Sequence, residues 1–324
     1  MLNKQRILIA SPASSAANNG NWQTAHRWGQ FLASRYHVDI ARQWDSASAP
    51  PDALIALHAR RSADSIAAFA ATGRPLILVL TGTDLYRDIH DNDAARRSLH
   101  QAHLLVLLQE AGMDELPLPL RDKACVIYQS APSLPPIEEA GDTFEVLMVG
   151  HLRAEKDPLT FMHAAMASTL PHVRFVQVGN ALDDGLGRQA QETAAQCPAY
   201  RWTGGMAHDD TRALLRRSRL LVLPSMMEGG ANVIIEAVTS GVPVLASDIS
   251  GNRGMLGDDY AGYFPVGDAR ALSRLVERAA SDSAFDQLLR AQCAARLPLF
   301  NPAREKAAVL RLVDNALTQH RTSP

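Results

Sequence analysis

Two glutamates eight positions apart, Glu228 and Glu236, bracket a glycine-rich turn and the start of a helix in Pro224-Ser225-Met226-Met227-Glu228-Gly229-Gly230-Ala231-Asn232-Val233-Ile234-Ile235-Glu236-Ala237. An apolar strand over Leu220–Leu223 leads into this run, and Gly241, with Pro243 just beyond, closes the helix. Gly229-Gly230 are expected to let the backbone turn tightly into a helix that starts near Gly230. The first amides of such a helix have no partner within it and sit at its positive end, so Gly229, Gly230, Ala231, Asn232 and Val233 can hold an anion without a cationic side chain. The backbones of Glu228 and Glu236 then stand about 10 Å apart, the span between the sugar and the ribose of a sugar nucleotide. With a diphosphate on the amides, Glu228 can accept from sugar hydroxyls and Glu236 from a ribose diol.

A second run, Gly150-His151-Leu152-Arg153-Ala154-Glu155-Lys156-Asp157-Pro158, ends a strand and opens a helix with Asp157 at the N-cap and Pro158 at the first helical position. The Glu-x7-Glu spacing, set between a strand ending in Pro-Ser and a Gly-x-Pro-Val strand, resembles the donor motif of retaining GT-B glycosyltransferases, the large family that includes bacterial mannosyltransferases and sucrose synthases. The run at 150–158 resembles that family's Gly-Arg-Leu-x-x-Glu-Lys-Gly motif, whose Arg and Lys neutralise the leaving diphosphate. Lys156 matches directly; His151 stands at the arginine position, which passes that role to Arg153. The resemblance thus implies Lys156, Arg153 and Glu228 as catalytic residues, with Gly150 and His151 beside the donor. Thr203-Gly204-Gly205-Met206 follows a strand where the family reads the base through backbone amides; a bare turn is the equal alternative.

The elements that must position these residues alternate along the chain. Short apolar runs at 6–11, 38–41, 53–58, 75–80, 104–109 and 124–129 are interleaved with helical patterns such as 22–35 and 62–71. The pattern restarts with runs at 144–150, 173–179, 200–204, 220–225 and 244–248, and helices from Asp157, near Asp184 and from Asp209. Helical segments at 269–280, 284–297 and 303–320 end the chain. This predicts α/β architecture: two Rossmann-like doubly wound domains, the GT-B fold by resemblance, facing a central cleft. The N-terminal, acceptor-binding domain is placed at 1–135, the donor domain at 143–301, and helix 302–320 crosses back to the first. The proline-rich Ala131-Pro132-Ser133-Leu134-Pro135-Pro136, with Glu138-Glu139 and Gly141-Asp142, reads as the linker.

With 324 residues and a net charge of -2, the chain offers no nucleic-acid signal. Its three cysteines show no metal spacing and read as buried thiols, so the protein is expected to be reduced and cytoplasmic. No run approaches the 18 or so apolar residues of a membrane span, and Ile7-Leu8-Ile9-Ala10 reads as a first strand, not a leader. Asp91-Asn92-Asp93 spells the Asp-x-Asp of metal-dependent transferases but sits in a turn before a helix and reads as a cap. Asp183-Asp184, Asp209-Asp210 and Asp258-Asp259 read as loop or cap residues. Fixed cations and amide dipoles answer the charge developing on the leaving oxygen, so no metal or other cofactor is expected. Arg212, Arg216, Arg217 and Arg219 read as one solvated helix face.

In the first half, the loop entering Asn19-Gly20-Asn21-Trp22-Gln23-Thr24 opens a helix but is not Gly-x-Gly-x-x-Gly. Two more strand ends, with His58, Arg60 and Arg61, and with Thr81, Gly82, Thr83 and Asp84, collect hydroxyls, free amides and cations. His58 is either an acceptor ligand or core-facing; Arg60 and Arg61 stand at a helix start, and at most one is expected to touch an acceptor. Asp84 is either the one candidate base or a helix cap. Trp22 and Trp28 point to different helix faces, and at least one belongs to the core. Gly20-Asn21-Trp22 with Thr24-Ala25, the segments 56–62, 80–86 and 228–233, Leu108-Gln109 and Gln129-Ser130 look like the selenosugar synthases of selenoneine biosynthesis, over nearly the full chain. In the wider family a histidine commonly follows the fourth strand, where this chain has Thr81-Gly82.

That resemblance implies transfer of a sugar from UDP-N-acetylglucosamine or UDP-glucose to selenophosphate with formation of a carbon–selenium bond. A selenium anion is nucleophilic without a base, as thiolates are. The alternatives are a GT-B transferase acting on a hydroxyl acceptor and a non-catalytic UDP-sugar-binding module.

Overall fold

The computed structural model describes residues 4–13, 20–137 and 143–322. Asn19, and Glu138-Glu139 and Gly141-Asp142 of the expected linker, lie outside the described residues. The chain forms two units: Met1–Gln129 with Glu228–Gly230 and Asn301–Pro324, and Ser130–Met227 with Ala231–Phe300.

The first unit runs β1 (Arg6–Ala10), α1 (Gly20–Ala33), β2 (His37–Ala41), β3 (Ala53–Leu57), α2 (Ala63–Ala70) and β4 (Leu76–Val79). A π-helical turn at Asp84–Asp88 follows, then α3 (Ile89–Asp91), α4 (Asp93–Gln101), β5 (Leu104–Leu107), α5 (Leu118–Arg121) and β6 (Ala124–Val126). Its six strands lie in the order β2-β1-β3-β4-β5-β6, all parallel. Successive side chains of a strand point to opposite faces. Ile7, Ile9, Ile55 and Leu57 meet Ala25, Trp28 and Leu32 of α1, whereas Leu8, Leu54 and Ala56 meet Ile66 and Phe69 of α2 and Leu99 of α4. Both faces are covered, which is why these strands read as unbroken apolar runs.

The second unit runs β7 (Phe144–Val149), α6 (Pro158–Ala167), β8 (Val173–Val178), α7 (Asp184–Gln196), β9 (Tyr200–Trp202), α8 (His208–Arg217) and β10 (Leu220–Leu223). It continues with α9 (Asn232–Thr239), β11 (Val244–Ser247), α10 (Ser250–Leu256), β12 (Tyr263–Phe264), α11 (Ala269–Ser281) and α12 (Ser283–Arg296). The sheet order is β12-β11-β10-β7-β8-β9, again parallel. The two residues of β12 are too few for a periodicity to mark them in sequence. The proline-rich stretch belongs to this unit: Ser133 Oγ donates to Thr239 O at 3.1 Å and Ile137 N to Arg216 O at 2.7 Å.

The last helix, α13 (Pro302–Thr322), belongs to the first unit. Val309, Leu312 and Val313 join the core that Trp28 and Leu32 occupy. Glu305, fully buried at its side chain, accepts from Trp28 Nε1 at 2.8 Å and Arg27 Nε at 2.9 Å. Trp28 is therefore the core tryptophan, while Trp22 stacks on His26. Among the described residues no helix is long and apolar enough to cross a membrane.

Candidate functional site

In an open parallel sheet, ligands bind beyond the carboxyl ends of the strands where the order reverses. In the second unit that point lies between β7 and β10, which are hydrogen-bonded neighbours from which the chain proceeds outward in opposite directions. The run at 150–157 leaves β7 and the run at 224–231 leaves β10, so the sheet brings together the two motifs most marked in sequence. Met226 N donates to Glu155 O at 2.9 Å and ties the two loops.

The neighbouring loops are stitched to the same rim. Gly150 N donates to Val178 O, Leu152 N to Asn180 O and Gly179 N to Gly204 O, at 2.9, 2.9 and 2.8 Å. Gly179 has φ +152°, and a Cβ there would stand 2.0 Å from Gly150 O; only glycine fits. The stem of Lys156 lies back across Gly150, its Cδ 3.7 Å from the place of an absent Cβ. Asp157 caps α6, accepting from Thr160 N at 3.3 Å, with Pro158 next, and holds a left-handed φ of +43° to turn the chain there. Arg153 is half-buried, and its Nε has no hydrogen-bond partner among the described residues. His151 accepts from Asn180 N at Nδ1, 3.2 Å, so its neutral ring carries its proton on Nε2. Gly204 faces open space at φ +72°, while Gly205 abuts the Asn180 side chain; Met206 is half-buried.

The helix α9 differs from expectation at its start. It begins at Asn232, not near Gly230, and its N-cap, Ala231, offers no side-chain cap. Its first turn, including Val233, holds no acidic residue, and its N-cap residue makes no side-chain bond to the leading amides. Gly229 and Gly230 do not adopt positive φ; they are small because space is short. A Cβ at Gly229 would lie 2.5 Å from the Thr81 carbonyl carbon, and one at Gly230 would lie 2.6 Å from Leu108 Cβ. At the other end Gly241 takes φ +71°, as its place after the helix requires. Glu228 is buried. Glu236 is half-buried and accepts from His208 Nε2 at 2.8 Å, with Arg212 Nη1 at 3.8 Å.

Arg212 is thus not on a solvated face. It is buried and donates to Pro132 O at 3.2 Å and Ser240 Oγ at 3.4 Å. Arg219 lies beyond α8, over the Phe144 ring. The hydrogen bond to Glu236 raises the pKa of His208, against the effect of burial. Sequence reading missed His208. The available signal was its spacing: His208 and Arg212 are four apart on one helix and so share a face.

In the first unit, Asp84 is fully buried. Its carboxylate accepts from the backbone N–H groups of Ala59, Thr81 and Gly82, each at 2.9 Å. Those amides engage both oxygens, so Asp84 shapes the loops after β3 and β4, at the place where sequence offered a base, an acceptor ligand or a helix cap. His58 is also buried, at φ +75°. It accepts from Arg61 N at Nδ1 and donates to Thr83 Oγ1 from Nε2, 3.1 Å away. Burial lowers its pKa and outweighs the nearby Asp84 and Asp88, so the ring is neutral at pH 7 and core-facing. Arg60 pairs with the buried Asp88, Nε to Oδ2 at 3.1 Å. Arg61 is exposed, and its guanidinium makes no ion pair among the described residues. Gly20 opens α1, Thr24 donates from Oγ1 to Gly20 O at 2.8 Å, and Asn21 is half-buried beside them. In Asp91-Asn92-Asp93 the cap is Asn92, accepting from Ala95 N, while Asp93 pairs with Arg96.

A family model described as "Glycosyl transferases group 1" matches residues 133–296. The UDP-Gal:alpha-D-GlcNAc-diphosphoundecaprenol alpha-1,3-galactosyltransferase of Escherichia coli is 31% identical over 127 residues, 38% of this chain and 32% of that protein. The 2-deoxystreptamine N-acetyl-D-glucosaminyltransferase of Streptomyces fradiae is 29% identical over 140 residues, 42% of this chain and 33% of that protein. The chain thus spans about a third of the length of these relatives. Among solved structures, Anabaena Alr3699/HepE in complex with UDP-glucose aligns with TM-score 0.76 at 15% identity, covering 96% of this chain and all of that one. Sucrose-phosphate synthase from Thermosynechococcus elongatus aligns with TM-score 0.77 at 16% identity, covering 98% of this chain and all of that one. At these identities the likeness is one of fold: two parallel-sheet α/β units of the GT-B kind.

Proposed function

The chain belongs to the glycosyl transferases group 1 family, whose model spans just over half of it, and we propose that it moves a sugar from a UDP-sugar to selenophosphate. The observation that carries the donor part is the meeting of the loops after β7 and β10 at the switch point, where Lys156 lies over Gly150 and the N-cap residue of α9 makes no side-chain bond to its leading amides. In this reading the amides of Ala231, Asn232 and Val233, with Lys156 and Arg153, receive the diphosphate. Glu236 accepts from the ribose diol, Glu228 from the sugar hydroxyls, and the turn at Gly204, Gly205 and Met206 meets the base. The bond from the anomeric carbon to the diphosphate oxygen breaks with its electron pair going to UDP. Fixed cations and dipoles stabilise that charge without reorganising.

The acceptor part draws support from the likeness to selenosugar synthases and from Asp84. Its oxygens are taken up by three amides, which leaves the loops after β3 and β4 without the base that sequence offered. A selenium anion needs none, and forms the carbon–selenium bond as the UDP bond breaks. Thr24, Thr81, Thr83, Asn21 and Arg61 supply hydroxyls, an amide and a cation for a small phosphate-bearing acceptor. A hydroxyl acceptor is the second reading, favoured by the names of the Escherichia coli and Streptomyces relatives.

The test mixes the purified protein with UDP-N-acetylglucosamine or UDP-glucose and offers selenophosphate, thiophosphate or simple sugars, measuring UDP release. Release with selenophosphate is expected. Release with sugars and none with selenophosphate would overturn the acceptor assignment and leave the donor assignment standing.

A further inference from the structure

We propose that His208, with Arg212, is a positioning residue that aims the ribose-binding carboxylate of Glu236. The inference rests on the assignment of Glu236 to the ribose diol given above. Glu236 lies in the second turn of α9 and faces α8, where His208 and Arg212 occupy one face at i and i+4. Both of its contacts fall on one oxygen: His208 Nε2 reaches Oε1 at 2.8 Å, and Arg212 Nη1 lies 3.8 Å from the same atom. Neither of these contacts takes up Oε2, which can accept from a ligand.

The holder is itself held. Arg212 is buried and anchored by Nη2 to Pro132 O and Ser240 Oγ, so its charge keeps a fixed place beside the carboxylate. Glu236 is the one carboxylate within 4 Å of this guanidinium among the described residues. His208 is half-exposed and faces three charged groups: Glu236, Arg212 and the exposed Asp209, whose Oδ1 is 3.7 Å from Nδ1. A glutamate left alone would sample several rotamers, and ordering it would oppose ligand binding. Fixing Oε1 beforehand removes that cost. His208 also begins α8 directly after the turn at Gly204-Gly205-Met206, so one short segment serves both the base and the ribose ends of a nucleoside.

The rival is a purely structural pair, in which Glu236 merely balances the buried Arg212. Calorimetric titration of the full chain with UDP separates the two, using wild type, Glu236→Ala, His208→Ala, His208→Gln and the His208→Ala/Glu236→Ala double variant, each melted to check folding. His208→Ala should weaken UDP binding roughly 3- to 10-fold, the scale of one hydrogen bond's ordinary net contribution. His208→Gln, which keeps a donor, should recover most of it. In the Glu236→Ala background the His208 change should add nothing, because its effect passes through the missing carboxylate. Wild-type affinity for His208→Ala with a lowered melting temperature, or an equal further loss in the double variant, overturns the inference. Wild-type affinity for Glu236→Ala overturns the ribose assignment itself, and the inference with it.

Discussion

Replacing Gly179 by alanine should break the rim on which Lys156 rests. The φ of +152° is strained for any L-residue, at about 1–3 kcal/mol. The new Cβ would also lie 2.0 Å from Gly150 O, 2.5 Å from Gly150 C and 2.8 Å from His151 N. These are backbone atoms, held by the Gly150 N to Val178 O bond, and they cannot swing aside. The strain and the displaced loop together cost roughly 3–5 kcal/mol, the range of the severe single substitutions. For a unit of this size that lowers the melting temperature by about 6–20 °C. Gly205→Ala is the control, because its Cβ would meet the Asn180 side chain, 2.3 Å from Oδ1, which can rotate away. It should cost less than about 1 kcal/mol. Calorimetric melting of both variants tests the reasoning, and UDP affinity should fall for Gly179→Ala as the 150–156 loop shifts. A Gly179→Ala protein that melts with wild type, or a Gly205→Ala protein that melts as low as Gly179→Ala, would refute it.

Asp84→Asn should lose about 2–4 kcal/mol in chemical denaturation, since an amide NH₂ would face backbone donors where an oxygen accepts now. The folded fraction should keep the wild-type pH–rate profile; loss of the acidic limb, where a catalytic carboxylate would protonate, would restore Asp84 as a base. Stability of the first unit should fall on acidification through His58, whose folded pKa lies below its unfolded 6.5. The unfolded chain binds the proton more readily, so the contribution is full above 6.5 and is lost as pH falls from there through the folded value. Urea titrations of wild type and His58→Gln from pH 8 to 5 should converge; parallel curves would count against a neutral buried ring.

The strands were legible because strands such as Ala53–Leu57 and Leu220–Leu223 are buried at every position and carry no polar residue. The donor motifs were legible because turn and cap chemistry is local: Asp157-Pro158 and Gly241 act within a few residues of themselves. What escaped depends on partners distant in sequence. Gly229 and Gly230 read as turn-formers, yet their smallness answers Thr81 and Leu108, more than a hundred residues away. Arg212 read as solvated because nothing near it in sequence announces Pro132 and Ser240 as its acceptors. Asp84 read as a base or a helix cap because the three amides that claim it belong to two loops that only the sheet brings together.

The buried Glu305, clasped by Arg27 and Trp28, has a consequence for synthesis. The first sheet is made well before α13, so the face that α1 covers in part stays incomplete until that helix, about 175 residues beyond β6, is made. The nascent chain therefore carries an unfinished apolar surface through translation of everything between, and a premature stop before Pro302 would condemn the N-terminal half along with the missing tail.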